Sequence, residues 1–473
     1  VTVRVIAASI QGTVFVDPNL NGAAAGYEAG TDTGIGGVTV TLTQVGTSFT
    51  PRTAITATAA IPAGQYYNPA TGGSSLTAGP GLYLVPAGGL AVGQYLFGDL
   101  LAGPGYQVVE TQPAGYVTTG DKAGNGATPG TVTTSTDTIS AIALTVGQAA
   151  VGYDFGEINL RTISITKAVT LPATPPASPT YTNSFNFSIA CTANNGLTPT
   201  PANGTAASFA VAAGTPVNVT NVVEGASCTV TELAPLPTLS SVAFSWSAIP
   251  APVTQTVGAS TPAFAFTNAV TRNVRDVQIT KSLTGAPAGF SPSFPFVIIS
   301  CSAGETPSST SFSLSTGQST TISGLSVGAT CSLVEQNRPA APAGYRWKLT
   351  AGQNQVGASL TAATPVTRIF TVTATPDPNV VTFLNELEPD TRPVTVTKVI
   401  AGATDGTPTT GTYSFTLTAC SSGPASYAQQ DLTAAQVAAS TPLTFPNVQI
   451  GATCTLNEIA RPAAPTGSAW TTT

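Results

Sequence analysis

A chain of 473 residues is too long for one hydrophobic core and fits several domains of ordinary size. Fifteen Lys and Arg against 21 Asp and Glu leave a thin net charge of -6, and charged residues make up only 8% of the chain, which excludes a surface built to attract nucleic acid or an anionic membrane. With no His, and no Ser/Lys or carboxylate pair beyond one repeated Glu, hydrolase chemistry has little to stand on. The 47 Gly and 38 Pro punctuate short Val/Ile/Phe runs that alternate with polar residues, while 42% hydrophobic content argues against disorder. The expectation is an all-β chain. It shows no apolar run long enough for a transmembrane helix, and the lack of an initiator Met reads as a mature, processed chain.

The first module is expected over residues 1–159, with Val1-Thr-Val3-Arg-Val5 as a cleanly alternating extra strand (1–7) ahead of it. Its landmarks are Gly12-Thr-Val-Phe-Val-Asp17-Pro-Asn19-Leu-Asn21-Gly22, Gly34-Ile-Gly-Gly-Val-Thr-Val-Thr-Leu42, Tyr106-Gln-Val-Val-Glu110-Thr-Gln-Pro-Ala-Gly-Tyr116 and Tyr153-Asp-Phe-Gly156. Taken alone, Asp17 to Gly22 is a polar turn between strands. In order and spacing these segments resemble the SdrD B-like repeats of Gram-positive surface adhesins. That resemblance implies calcium, held by Asp17, Asn19 and Asn21 with Glu28 and Asp32 downstream. A hard cation suits such carboxylate and amide oxygens on a tight turn.

Three repeats follow, at 160–272, 273–391 and 392–473. Each opens on a strand ending in Lys: Ile163-Ser-Ile165-Thr-Lys167, Val277-Gln-Ile279-Thr-Lys281 and Val394-Thr-Val396-Thr-Lys398. Each then has a Cys (Cys191, Cys301, Cys420) and a Cys-x-x-x-Glu (Cys228 to Glu232, Cys331 to Glu335, Cys454 to Glu458). One pair of Cys per repeat argues for three disulfides in an oxidising compartment over six buried thiols, and zinc is disfavoured without His. The first two repeats close on Phe264-Ala-Phe266-Thr-Asn268 and Val381-Thr-Phe383-Leu-Asn385. Residues two apart on a strand share a face, so each Lys, Glu and Asn points with its aliphatic or aromatic neighbours into a core. A lone buried Lys or Glu costs several kcal/mol, of order, so these groups should be neutralised, paired or bonded.

The Thr-Lys strand, the Glu before a Pro-rich turn and the closing Phe-x-x-Asn resemble Cna protein B-type (prealbumin-like) repeats of bacterial pilins and surface stalks. The resemblance implies tandem Ig-like β-sandwiches arranged as an elongated rod. It also implies internal isopeptide bonds from Lys167 to Asn268 and from Lys281 to Asn385, promoted by Glu232 and Glu335. There a desolvated, neutral Lys amine attacks the Asn amide while the Glu polarises the carbonyl and moves protons. This is a single-turnover maturation, and the chain is not expected to be an enzyme. The first module lacks a Lys at the equivalent place, and Asp154 lies off the Tyr153/Phe155 face, so no bond is expected there.

After Glu458 the third repeat carries Trp470, comparable with Trp246 and Trp347, but no closing Phe-x-x-Asn. Lys398 and Glu458 are then expected as an ion pair beside an open sheet edge. Val1, Val3 and Val5 of a second copy could fill that edge, contributing roughly 5–9 kcal/mol before association costs. Such a head-to-tail contact does not close and yields a homopolymer. The function expected is a secreted structural subunit of a bacterial extracellular filament, pilus or stalk; the alternative is a cell-surface adhesin that binds a host or matrix ligand. The sequons at Asn186, Asn203 and Asn218 carry little weight in a Ser/Thr-rich chain.

Overall fold

The computed structural model describes residues 7–173, 178–261, 263–302, 304–348, 366–376, 378–401 and 408–471. Val1, Val3 and Val5 lie outside them. The described regular structure is almost all strand; the exceptions are the short helices Gly22–Ala25 and Ala434–Ala438 and a turn of 3-10 helix at Thr134–Thr136. Among the described residues no helix is long and apolar enough to cross a membrane. Contacts divide the chain into two units, one running to Leu171 and including Tyr181–Thr238 and Trp246–Val270, the other including Leu239–Ser245 and the residues from Thr271 onward.

In the first unit, the strand Ala8–Val16 pairs antiparallel with Gln94–Leu100 and parallel with Asp154–Thr170. A second sheet is centred on Gly103–Glu110, between Thr39–Gln44 and Thr138–Leu144. Alternating residues of both sheets meet in a core of Val14, Val40, Tyr95, Phe97, Val108, Ile139 and Phe155. Period-two burial is the physical reason these sequences form strands: one face leaves water, at about 25 cal/mol per Å² of apolar area.

The strand Asp154–Thr170 is 17 residues long and belongs to two sandwiches. Its first half pairs with Tyr116–Lys122, and its second with Val217–Val223 and Phe264–Arg272. The division expected after residue 159 therefore falls inside one strand. No separate linker exists to carry turn residues, so the backbone passes from one core to the next without a break. Ile163, Ile165, Phe187, Val230, Phe264 and Phe266 form the core of the first repeat.

The second unit repeats the plan. Val274–Thr284 pairs antiparallel with Ser319–Ser326 and parallel with Asn379–Pro389, facing a sheet of Ser293–Cys301, Ser311–Ser315, Thr330–Glu335 and Val366–Thr371. In the third repeat, Thr391–Val396 pairs only with Leu443–Gln449 among the described residues. Its other sheet is Thr412–Thr418 between Ser426–Thr433 and Thr455–Ala460. The helix Ala434–Ala438 starts on a capping box in which Thr433 and Gln436 satisfy each other's backbone N–H, and it presses Ala434 and Val437 into the core.

Candidate functional site

The parallel pairing of first and last strands places the polar residues. In the first repeat Lys167 lies opposite Phe266 and Val169 opposite Asn268; in the second, Lys281 lies opposite Phe383 and Leu283 opposite Asn385. The same two-residue offset in both makes Lys and Asn diagonal neighbours on the inner face. Each Glu arrives from the facing sheet, at the end of Ser227–Glu232 and of Thr330–Glu335.

The result is two buried triads. Lys167 Nζ is 3.3 Å from Glu232 Oε2, and Asn268 Nδ2 donates to Glu232 Oε1 at 2.8 Å. Lys281 Nζ is 3.1 Å from Glu335 Oε2, and Asn385 Nδ2 donates to Glu335 Oε1 at 2.5 Å. Both lysine and both glutamate side chains are fully withdrawn from solvent. Burial lowers the Lys281 amine to about 8, against the opposing pull of Glu335 and with help from Arg338; burial lowers Lys167 as well, again opposed by its Glu. In each triad the carboxylate touches the amide nitrogen. Asn268 Oδ1 is buried without a hydrogen-bond partner.

Sequence reasoning missed the floor beneath each amine. Lys167 Nζ lies 4.7 Å from the centroid of the Phe185 ring, Lys281 Nζ 4.3 Å from that of Phe294, and Lys398 Nζ 5.6 Å from that of Tyr413. The signal was present, as an aromatic-x-Phe step ahead of each first Cys: Phe185/Phe187, Phe294/Phe296, Tyr413/Phe415. Arg338, buried with its Nε 3.7 Å from Glu335 Oε1, was missed too; Arg461 holds the same place after Glu458. In the third repeat Lys398 Nζ pairs with Glu458 Oε2 at 2.9 Å, both side chains about a fifth exposed.

The six Cys form the pairs Cys191–Cys228, Cys301–Cys331 and Cys420–Cys454. The first two join residues directly opposite on neighbouring strands of the glutamate-bearing sheet. A disulfide and a Lys–Asn link would thus staple different sheets of one sandwich.

In the first module, the Asp17 carboxylate accepts the backbone N–H groups of Asn21 and Gly22, and so is used in fixing the turn. Glu28 Oε2 accepts from the side chains of Asn19 and Asn21, which hold its pKa below the usual carboxylate range, and Asp32 Oδ2 accepts from Glu28 N–H. Asn21 Oδ1 and Asp32 Oδ1 are left buried and unpartnered, so a cation here would find open oxygens in Asn21 and Asp32. Asp154 accepts the N–H groups of Thr13 and Tyr27. A different buried acidic group consists of Glu110, Asp137 and Glu157, with Asp121 beside them. Burial, reinforced by mutual repulsion, pushes Glu110 up to about 9, Glu157 to about 8 and Asp121 to about 7.

These features define a class, an all-β protein of tandem disulfide-stapled sandwiches with polar triads sealed in two cores. The chain belongs to the family described as Domain of unknown function (DUF5979), which matches residues 163–271, 277–387 and 394–473. No curated protein matches it. Among solved structures, it is similar to two B repeat units of the collagen-binding protein Cna of Staphylococcus aureus, at 10% identity over 96% of this chain and 94% of that one, with a TM-score of 0.21. It is also similar to the Bacillus anthracis TIE protein, at 10% identity over 91% and 67% with a TM-score of 0.26. A third is the full-length major pilin SpaD of Corynebacterium diphtheriae, at 13% identity over 81% and 97% with a TM-score of 0.17.

Proposed function

We propose that this chain is an extracellular structural subunit of a bacterial surface filament or stalk, whose first two repeats mature by forming isopeptide bonds from Lys167 to Asn268 and from Lys281 to Asn385. The observation that carries this reading is the pair of buried Lys–Glu–Asn triads built on the first and last strands. An ionised Lys held out of water is costly, and the paired Glu offsets that cost only in part, since burial still lowers both amines. In this reading the Glu serves both nucleophile and leaving group: Oε2, which lies beside Nζ, takes its proton, the neutral amine adds to the Asn Cγ, and Oε1, which accepts from Nδ2, returns a proton there. One C–N bond forms, one breaks, and ammonia leaves. Tension along a repeat enters through its first and last strands, so a covalent bond between them would leave the rest of the sandwich unloaded.

The finer part of the reading is assembly by strand donation to the third repeat. Val394, on its Lys strand, is 37% exposed, whereas the corresponding Val277 is fully buried. A strand laid on this edge would cover Val394 and seal Lys398 with Glu458; Val1, Val3 and Val5 of a second copy are the donor proposed. Calcium held by Asp17, Asn19, Asn21, Glu28 and Asp32 would stiffen the first module. The reading is tested by intact mass and peptide mapping of the denatured, reduced chain: one ammonia lost per triad supports it, and unmodified Lys167 and Lys281 peptides refute it.

A further inference from the structure

We propose that the first module binds a second hard divalent cation, of the calcium class, between Glu110, Asp137 and Glu157, independently of the crosslinking reading and of the Asp17–Asp32 loop. The three residues come from distant places in the sequence. Glu110 ends the strand Gly103–Glu110, Asp137 follows the turn Thr134–Thr136, and Glu157 lies in Asp154–Thr170. Glu110 N–H donates to the Asp137 carbonyl at 2.9 Å, which ties two of the ligands together. One carboxylate oxygen from each residue lies within 4.8 Å of the others. Oxygens that share one calcium ion at about 2.4 Å can be at most twice that distance apart, so this spacing fits a common ion.

The second observation is the state of these oxygens. Glu110 is 3% exposed, Asp137 8% and Glu157 0%. Both oxygens of Glu110, Oδ1 of Asp137 and Oε1 of Glu157 have no hydrogen-bond partner; the other Glu157 oxygen accepts from Gln112 Nε2. Asp121, 3% exposed, borders the group with both oxygens unpartnered. Among the described residues no ion pair reaches any of the four. Buried polar groups are almost always satisfied, and a cluster of four acids without one cation is a large exception. The chain has no His and every Cys is in a disulfide, so the available ligands are oxygens, which select a hard ion.

The test is equilibrium dialysis of the chelator-treated full chain against radioactive calcium, with thermal unfolding followed in parallel. The Glu28→Gln/Asp32→Asn variant removes the two downstream acids of the loop, and Glu110→Gln/Glu157→Gln removes two of the three buried carboxylates. The loop variant is expected to keep one bound ion per chain and a calcium-raised unfolding midpoint, and the buried-site variant to lose that ion. Should the double variant not fold, Asp137→Asn changes one ligand only and is expected to weaken binding at least tenfold. No calcium bound by the loop variant, or binding unchanged in Glu110→Gln/Glu157→Gln or Asp137→Asn, overturns the proposal.

Discussion

Glu335 touches the Lys281 amine and the Asn385 amide nitrogen, the two groups that would react in the proposed crosslink. Replacing it by Ala removes the proposed proton carrier and leaves Lys281 buried without its counter-charge. Bond formation in the second repeat should slow by two to four orders of magnitude, the usual worth of general acid–base help. Mass spectrometry should then find one ammonia lost in place of two. The lysine itself gives a pH signature once the bond is blocked by Asn385→Ala. Its amine lies at about 8 in the fold against 10.5 unperturbed, so between those values the unfolded state binds more protons. Stability should therefore rise with pH through that window, by about 3 kcal/mol at most, with the penalty fully present below pH 8. Urea unfolding of Asn385→Ala against Asn385→Ala/Lys281→Met measures it, and parallel curves for the two variants would contradict the argument.

At the scale of strands, the two kinds of staple act on different pairs. Cys301–Cys331 joins neighbours in one sheet, whereas Lys281 and Asn385 lie on adjoining strands of the other. In a chain-entropy account, a loop of about 30 residues contributes roughly 3–4 kcal/mol and one of about 100 residues roughly 4.7 kcal/mol. Cys301→Ala/Cys331→Ala should destabilise the second repeat by the smaller amount and still lose ammonia, as denaturant unfolding and mass analysis would show. Much of this arrangement was legible in the sequence. Period-two faces put Lys167, Glu232 and Asn268 inside, and the regular spacing gave the Cys pairs. Continuity of Asp154–Thr170 was not legible, because a strand passing between two cores carries no turn residue to mark the boundary. The acidic group was hidden because Glu110, Asp137 and Glu157 converge only through tertiary pairing, whereas the Asx-rich loop is contiguous in the sequence. The capping box at Thr433 and Gln436 was readable but sits in a five-residue helix too short for a periodic signal.

For the whole molecule, the family match covers the three repeats and says nothing of what they assemble into. Strand donation makes a specific demand: Val3→Asp, which places a charge among the apolar contacts of the donated strand, should abolish concentration-dependent polymers in sedimentation velocity, while Thr2→Asp on the opposite face should not. Polymers that survive Val3→Asp would mean that assembly uses another surface. The central claim is nevertheless the pair of covalent bonds proposed between the first and last strands of two repeats. Intact mass of the denatured, reduced chain with peptide mapping tests it most directly. The account predicts a deficit of two ammonia, mapped to Lys167–Asn268 and Lys281–Asn385; a chain at its full unmodified mass, with free Lys167 and Lys281 peptides, would contradict it.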